Sequence, residues 1–274
     1  MAESSAKTKQ IVWQHKLMPV SQFDAELISN LSMIYEVLRI IDGKFVFLKD
    51  HLIRLKKSLI LAEINLPFDE SLLLQDMNAC VSENQVRNGN IRVSLFPDKE
   101  KIHVLCEIVS HHYPTVEDYQ NGVAVAFTHF VRTNPNVKKW NASMKAVVAR
   151  YKAMRKVYEV LLYNENSLLT EGSQSNLFFI VDKTVVTAPD DLVLKGITRD
   201  YVIKTIIEAG FQIKYQAVNV VDVLNYDAAF ITGTSSKVLP IRKIVSCCHA
   251  NVNHPVLQRI MRDYDLQIKK NLSQ

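Results

Sequence analysis

Leu169-Thr-Glu-Gly-Ser-Gln-Ser-Asn-Leu-Phe-Phe-Ile180 is the stretch on which the reading of this chain turns. One carboxylate, Glu171, stands among Gly and Ser, and an apolar run that reads as a strand follows at once. An acid at the mouth of a strand suits a buried cationic partner. Working outward, three segments add to it: Asn134-Pro-Asn-Val-Lys138, Leu194-Lys-Gly-Ile-Thr-Arg199 and Phe230-Ile-Thr-Gly-Thr-Ser-Ser236.

The length of 274 residues favours two cores over one. A polar, proline-containing stretch, His111 to Asp118, reads as the linker, so domains are expected at 1–115 and 116–274. With 48% apolar and 22% charged residues the chain should fold throughout. The net charge of +5 is scattered and gives no case for nucleic acid. The N-terminus lacks a signal-type apolar core and no run could span a bilayer, so a soluble, cytoplasmic protein without a membrane partner is expected. Cys80, Cys106, Cys247 and Cys248 show no C-x-x-C spacing, which reads as reduced thiols. Cys247-Cys248-His249 reads as a surface turn, and no metal is expected.

Along the first half, Tyr35 to Leu48 reads as a hairpin about Asp42-Gly43. A helix follows with Leu52, Leu55, Leu59 and Ile60 as its apolar stripe, and Arg54 falls off that stripe. Ser71–Val81 reads as a second helix, and Asn90–Phe96 and Lys101–Val109 as strands. The second half opens on the alternating strand Gly122–Val131, then a helix from Ala142 to about Tyr158. Strands at Val160–Tyr163 and Asn176–Val181 flank the Glu171 turn. Residues 199–209 form a helix closed by Gly210, 227–232 form a strand, and the tail from Pro255 is helical.

A phosphate is held by backbone N–H groups, hydroxyls and a cation gathered together. Gly196-Ile-Thr198 before a helix and the Gly233-Thr234-Ser235-Ser236 turn could each contribute. Taken singly, the first is an ordinary N-cap and the second an ordinary turn. Arg54 could supply the cation, although taken alone a solvated helix face is the better reading. Lys138 could be a nucleophilic amine, which forms Schiff bases when water is scarce, or one more exposed lysine.

In combination the motifs are specific. Thr170-Glu-Gly-Ser-x-Ser-Asn-Leu-Phe178, then Leu194-x-Gly-Ile-Thr-Arg199, then Thr232-Gly-Thr234 with Pro240 beyond, resemble the class IV (fold type IV) pyridoxal-phosphate aminotransferases. That family includes branched-chain and D-amino-acid aminotransferases and aminodeoxychorismate lyase, and the resemblance runs from about Tyr35 to Ile241. It implies a two-domain α/β (α+β) fold, with a small N-terminal α/β domain and a larger C-terminal mixed-sheet domain that binds the cofactor, pyridoxal 5'-phosphate. It also implies a homodimer.

Residue by residue, the resemblance implies that Lys138 holds the cofactor covalently and shuttles the proton, and that Glu171 pairs with the pyridine nitrogen. Arg54, Ile197, Thr198 and Thr234 match the phosphate-binding positions. Leu194 packs on the ring, and Tyr35 lines the substrate pocket. Arg92 matches a carboxylate-binding arginine and is equally readable as a structural residue of its strand. Lys145 competes for the lysine role, but it lies only 26 residues before Glu171, against 33 for Lys138, which also follows apolar Val137 and precedes Asn141 by three. Lys138 fits the family's spacing, and the adjacent Lys139 is second.

The chain departs from the pattern at Ser29-Asn-Leu-Ser-Met33, where the family has a Gly-Asp-Gly turn, and at Lys237, where it has an acid. Asn90 also replaces the tyrosine of branched-chain enzymes. Expected substrates are an amino acid and a 2-oxo acid. The alternatives are a lyase releasing pyruvate from aminodeoxychorismate and a non-catalytic protein on the same fold.

Overall fold

The computed structural model describes residues 8–245 and 248–273. The described residues divide into two compact units: 8–112 with 137–140 and 271–273, and 113–136 with 141–245 and 248–270. No helix among the described residues is long and apolar enough to cross a membrane.

In the first unit, β1 (Gln10–Trp13) and β2 (Lys16–Pro19) form a hairpin, followed by β3 (Ile34–Ile41) and β4 (Lys44–Phe45). Asp42 (φ 50°) and Gly43 (φ 78°) supply the left-handed turn that Asp-Gly predicts. The second arm is shorter than the sequence suggests. Phe47 turns left-handed (φ 53°) and starts α1 (Leu48–Leu61), so Val46 to Leu48 leave the sheet. Helix α2 (Glu70–Glu83) is capped by Asp69, whose carboxylate accepts from the N–H groups of Ser71 and Leu72. Strands β5 (Gly89–Pro97) and β6 (Ile102–Ile108) complete a six-stranded sheet in the order β2-β1-β6-β5-β3-β4.

Strand β3 alternates strictly. Ile34, Glu36, Leu38 and Ile40 are buried, while Tyr35, Val37 and Arg39 are partly exposed. On α1 the residues Leu52, Leu55 and Leu59 pack into the core as expected, but Ile60 is 70% exposed. Arg54 is only 9% exposed, so the solvated-face reading of it is wrong. His51, Arg54 and Ser58 recur at helical spacing and form a buried polar row. Val137 packs against this unit's core.

The first helix of the second unit is α3 (Val116–Asn121), which starts within the stretch expected to be linker and runs past its end. Thr115 and Asp118 cap each other reciprocally, a capping box that the proline-containing context obscured. Then come β7 (Val123–His129), α4 (Ala142–Arg155), β8 (Glu159–Tyr163), β9 (Leu168–Gly172), β10 (Asn176–Val181) and β11 (Thr184–Thr187). Helix α5 (Ile197–Glu208) buries Val202 and Ile206, and Gly210 (φ 78°) follows its end. After it lie β12 (Gln212–Tyr215), β13 (Val218–Asn219), β14 (Ala228–Gly233), β15 (Lys237–Ile244), β16 (Cys248–His249) and α6 (Pro255–Leu272). Cys247 lies outside the described residues, and Cys248-His249 forms a short strand on β15 rather than a turn. The described residues contain no cluster able to hold a metal ion.

These strands make one mixed sheet in the order β12-β11-β10-β14-β15-β7-β8-β9-β13. β10 also pairs with β9 through Asn176 and Glu171, which closes β10, β14, β15, β7, β8 and β9 into a ring. Glu171 is therefore a strand residue at the closing pair and not part of a turn. The turn is Ser173 to Ser175.

Phe178 and Phe230 are opposed across β10 and β14, stacked 4.9 Å apart and fully buried. Phe230→Ala should therefore cost about 3–5 kcal/mol in denaturant unfolding, through lost burial and a residual cavity.

Candidate active site

The expected site residues fall four in the first unit and five in the second. In the first unit Glu36 organises the cationic group. Its carboxylate accepts from Arg54 Nε and Nη2, both at 2.7 Å, and bonds His51 Nδ1 at 2.8 Å. Burial raises the Glu36 pKa, but the charge and hydrogen bonds of Arg54 outweigh it and hold the acid ionised far below its ordinary value. Burial lowers the His51 pKa and keeps that ring neutral, against the pull of Glu36.

Lys138 lies on a short segment fixed at both ends of its peptide. Its N–H donates to Ser58 Oγ at 3.3 Å, and its carbonyl accepts from the Tyr35 N–H at 3.1 Å. The Lys138 Nζ stands 4.9 Å from the Tyr35 ring centroid, a cation–π distance. Ser58 is one turn along α1 from Arg54, so one helix face serves both cations. Arg92 pairs with Glu107, its cross-strand neighbour, at 3.1 and 2.8 Å and lies 5.3 Å from the Trp140 ring centroid. Those contacts give it the structural role that its strand position allowed. Lys139 is exposed, and Lys145 sits in the first turn of α4.

In the second unit Glu171 is 3% exposed. Its Oε2 accepts from the Leu194 N–H at 3.1 Å and from Asn176 Nδ2 at 3.5 Å. Its Oε1 lies 3.1 Å from Arg132 Nε. Asn176 Nδ2 also donates to the Leu194 carbonyl at 2.9 Å. The Leu194 segment thus meets Glu171 through its backbone. A side chain on Gly196 would overlap Asn176 Oδ1, so only glycine lets the start of α5 approach this closely.

Sequence reading missed Glu36, Arg132 and Glu159. Glu159 is 3% exposed, and its carboxylate gathers the 173–175 turn. It accepts from Ser173 Oγ (2.6 Å), Ser175 Oγ (3.1 Å) and the Gln174 N–H (3.4 Å), and Lys152 lies 3.2 Å away. The available signal was an acid at an inward strand position, the same signal that Glu36 carries within Ile34-Tyr-Glu-Val-Leu38. Ile197 and Thr198, both buried, open α5 behind Gly196, a cap with no side chain of its own. Thr234 is half-buried in the turn that follows β14.

Residues 33–244 match the family model for amino-transferase class IV. The chain belongs to the class IV aminotransferases. It is similar to a D-alanine aminotransferase of Bacillus licheniformis, 28% identical over 222 residues, covering 77% of this chain and 78% of that one. A branched-chain-amino-acid aminotransferase of Pseudomonas aeruginosa is 27% identical over 252 residues, covering 84% and 82%. In fold it matches a branched-chain amino acid aminotransferase from T.th., solved with pyridoxamine 5'-phosphate, at a TM-score of 0.86 and 20% identity over 96% of this chain and 95% of that one.

Class IV aminotransferases work with pyridoxal phosphate, and the residues present fit it. Gly196 leaves the first-turn N–H groups of α5 without a side-chain cap, as an anion site requires. The Thr232 hydroxyl, the cross-strand neighbour of Asn176, is buried with no hydrogen-bond partner among the described residues. Glu171 supplies a buried carboxylate, the group that matches a protonated ring nitrogen, and an ionised carboxylate accepts more than two bonds.

The first unit should weaken steadily in acid. His51 is held below its ordinary 6.5, so the unfolded chain binds that proton first and stability falls from about pH 6.5 downward. The stability contributed by Glu36 is present above its ordinary 4.5 and is lost as pH drops toward its depressed value. Glu36→Gln should cost about 3–5 kcal/mol at pH 7 by urea unfolding, because it leaves the Arg54 charge without its buried partner, and the deficit should narrow below pH 4.

Proposed function

We propose that this protein is an amino-acid aminotransferase that exchanges an amino group between an amino acid and a 2-oxo acid. The observation that carries this reading is the buried carboxylate of Glu171, fixed on a strand and bonded through the Leu194 N–H. In this reading Glu171 holds the proton on the cofactor's ring nitrogen. Lys138 Nζ binds the cofactor covalently and, when released, takes the proton from the substrate's Cα. Arg54, Ile197, Thr198 and Thr234 bind the phosphate, and Leu194 packs on the ring.

Bound pyridoxal phosphate supplies the carbonyl that receives the amino group and a ring that draws electrons from Cα. The protein's part is placement. Glu36 restrains the Arg54 side chain at two of its nitrogens, and Ser58 and Tyr35 restrain the Lys138 peptide. In this reading Tyr35 lines the substrate pocket, and Arg92, already paired with Glu107, either serves its strand alone or also meets the substrate carboxylate.

Relatives that carry the names D-alanine and branched-chain aminotransferase favour amino transfer over elimination of pyruvate from aminodeoxychorismate. They also favour catalysis over a purely binding role. We assign residues 1–115 as the small domain and 116–274 as the cofactor-binding domain, save that 137–140 and 271–273 belong to the first compact unit, and the working form as a cytoplasmic homodimer. Its partners are small molecules, with no nucleic acid or membrane involved.

Amino donors screened in both D and L forms with a 2-oxo acid should yield turnover with at least one donor, and Lys138→Ala should reduce it at least 1,000-fold, on the order of a lost covalent and proton-transfer group. Full activity in Lys138→Ala would remove the lysine assignment. Pyruvate released from aminodeoxychorismate without any amino acceptor would replace the transferase reading with the lyase.

A further inference from the structure

Residues 188–196 join β11 to α5 and carry Leu194. The end of this loop meets Glu171 and Asn176 through the 3.1 Å and 2.9 Å bonds of the Leu194 backbone. Its start is held by a different group. Arg199, in the first turn of α5, reaches back to it: Nη1 donates to Asp190 Oδ1 at 2.8 Å, and Nη2 to the Ala188 carbonyl at 2.9 Å. The Asp190 carbonyl also accepts from Asn136 Nδ2 at 3.0 Å, and the Leu192 N–H closes a turn on the Pro189 carbonyl at 3.1 Å. The loop is therefore fixed at both ends by named bonds within one unit.

Arg199 is 1% exposed, and a charge so far from water needs partners. One carboxylate and one carbonyl supply them, and the Tyr215 ring covers the guanidinium with its centroid 5.9 Å from Cζ. Burial raises the Asp190 pKa, but the bonds and charges of Lys195 and Arg199 outweigh it and lower the value, so the carboxylate stays ionised opposite Arg199. The second pair on Asp190, to Lys195 at 2.6 Å, is 40% and 45% exposed and contributes little. Arg199 is the part of this cluster that binds. Its planar fork spans two acceptors on the loop, which a point charge cannot do.

We infer that Arg199 is a positioning residue for Glu171: by clamping Ala188 and Asp190 it holds the loop so that the Leu194 N–H stays on the acid's Oε2. This inference rests on the assignment of Glu171 to the cofactor's ring nitrogen made above. Arg199 is not proposed to touch the cofactor. A donor on a carboxylate favours its ionised form, and ionised Glu171 is the form that holds a proton on the ring nitrogen. Arg132, 3.1 Å from Oε1, is the other charged group that faces Glu171, and it acts on the opposite oxygen.

The test uses the holoenzyme with pyridoxal phosphate bound. Two quantities are read. One is peptide-resolved hydrogen–deuterium exchange at 188–196 and, as a report on global unfolding, at 228–233 of the central strand β14. The other is the pH midpoint at which the visible absorbance of the bound cofactor titrates. Arg199→Lys keeps the charge and loses the fork. It should speed exchange at 188–196 about tenfold, the scale of one hydrogen bond, and leave 228–233 unchanged. It should also move the absorbance midpoint by about one pH unit, in the direction in which Glu171→Gln moves it. Asp190→Asn changes a half-exposed side chain, keeps its shape and removes its charge, and should give about a threefold rise and about half a unit.

Glu171→Gln separates the two readings. If it leaves the midpoint in place, the Glu171 assignment falls and the inference with it. If it moves the midpoint and neither loop variant does, Arg199 serves the fold alone: the inference is overturned and the assignment stands. Exchange that rises equally at 228–233 and 188–196 in both loop variants would mean general destabilisation and would also overturn the inference.

Discussion

A carboxylate removed from water has to be met by donors, and at Glu171 the fold is arranged around that requirement. The Leu194 N–H, Asn176 Nδ2 and the guanidinium of Arg132 all converge on it. Each comes from a different part of the second unit: the segment leading into α5, strand β10, and the chain just after β7. Glu171 and Asn176 are also the pair that closes the ring of strands. The acid proposed to face the cofactor thus belongs to the pair that completes the sheet, and displacing one disturbs the other. The bond from Leu194 extends this dependence to the start of α5, because it sets how closely Gly196 approaches the strand.

The first unit solves the same problem with the signs exchanged. There the group proposed to bind the phosphate is a cation, Arg54, and Glu36 meets it with two 2.7 Å bonds inside a packed core. Such buried pairs contribute little net stability, because desolvation offsets their attraction. Their value lies in fixed direction. A bidentate guanidinium can rotate far less than a free one, so its remaining edge points one way. Glu159 does comparable work for the turn after Glu171, where two hydroxyls and a backbone N–H close on one buried acid. Three inward-facing acids therefore set the local geometry, and only Glu171 is assigned a place against the cofactor.

Much of this was legible in the sequence. Asp42-Gly43, the alternation of the strand at 123–129 and the Leu52–Leu55–Leu59 stripe predict their elements because each depends on short-range geometry. The ordered motifs around Glu171, Gly196 and Gly233 were enough to suggest the family, which the match over residues 33–244 shows. What escaped depended on long-range pairing. Arg54 looked solvated because its partner, Glu36, lies 18 residues away on a strand. Read alone, Ile34-x-Glu-x-Leu38 gives the answer, since an acid at an inward position needs a buried cation. Glu171 reads as a turn residue because Gly and Ser follow it, whereas the strand ends one residue later. The helix at 116–121 was hidden by proline and histidine just before it, although Thr115 and Asp118 form a capping box that sequence spacing can reveal.

The central proposal is that Lys138 is the covalent attachment of the cofactor. Borohydride reduction of the holoenzyme fixes the cofactor to its lysine, and peptide mass spectrometry then reads the position. The account predicts a single pyridoxyl label, on Lys138. A label on Lys139 or Lys145, or a coloured holoenzyme that takes no label at all, would contradict it.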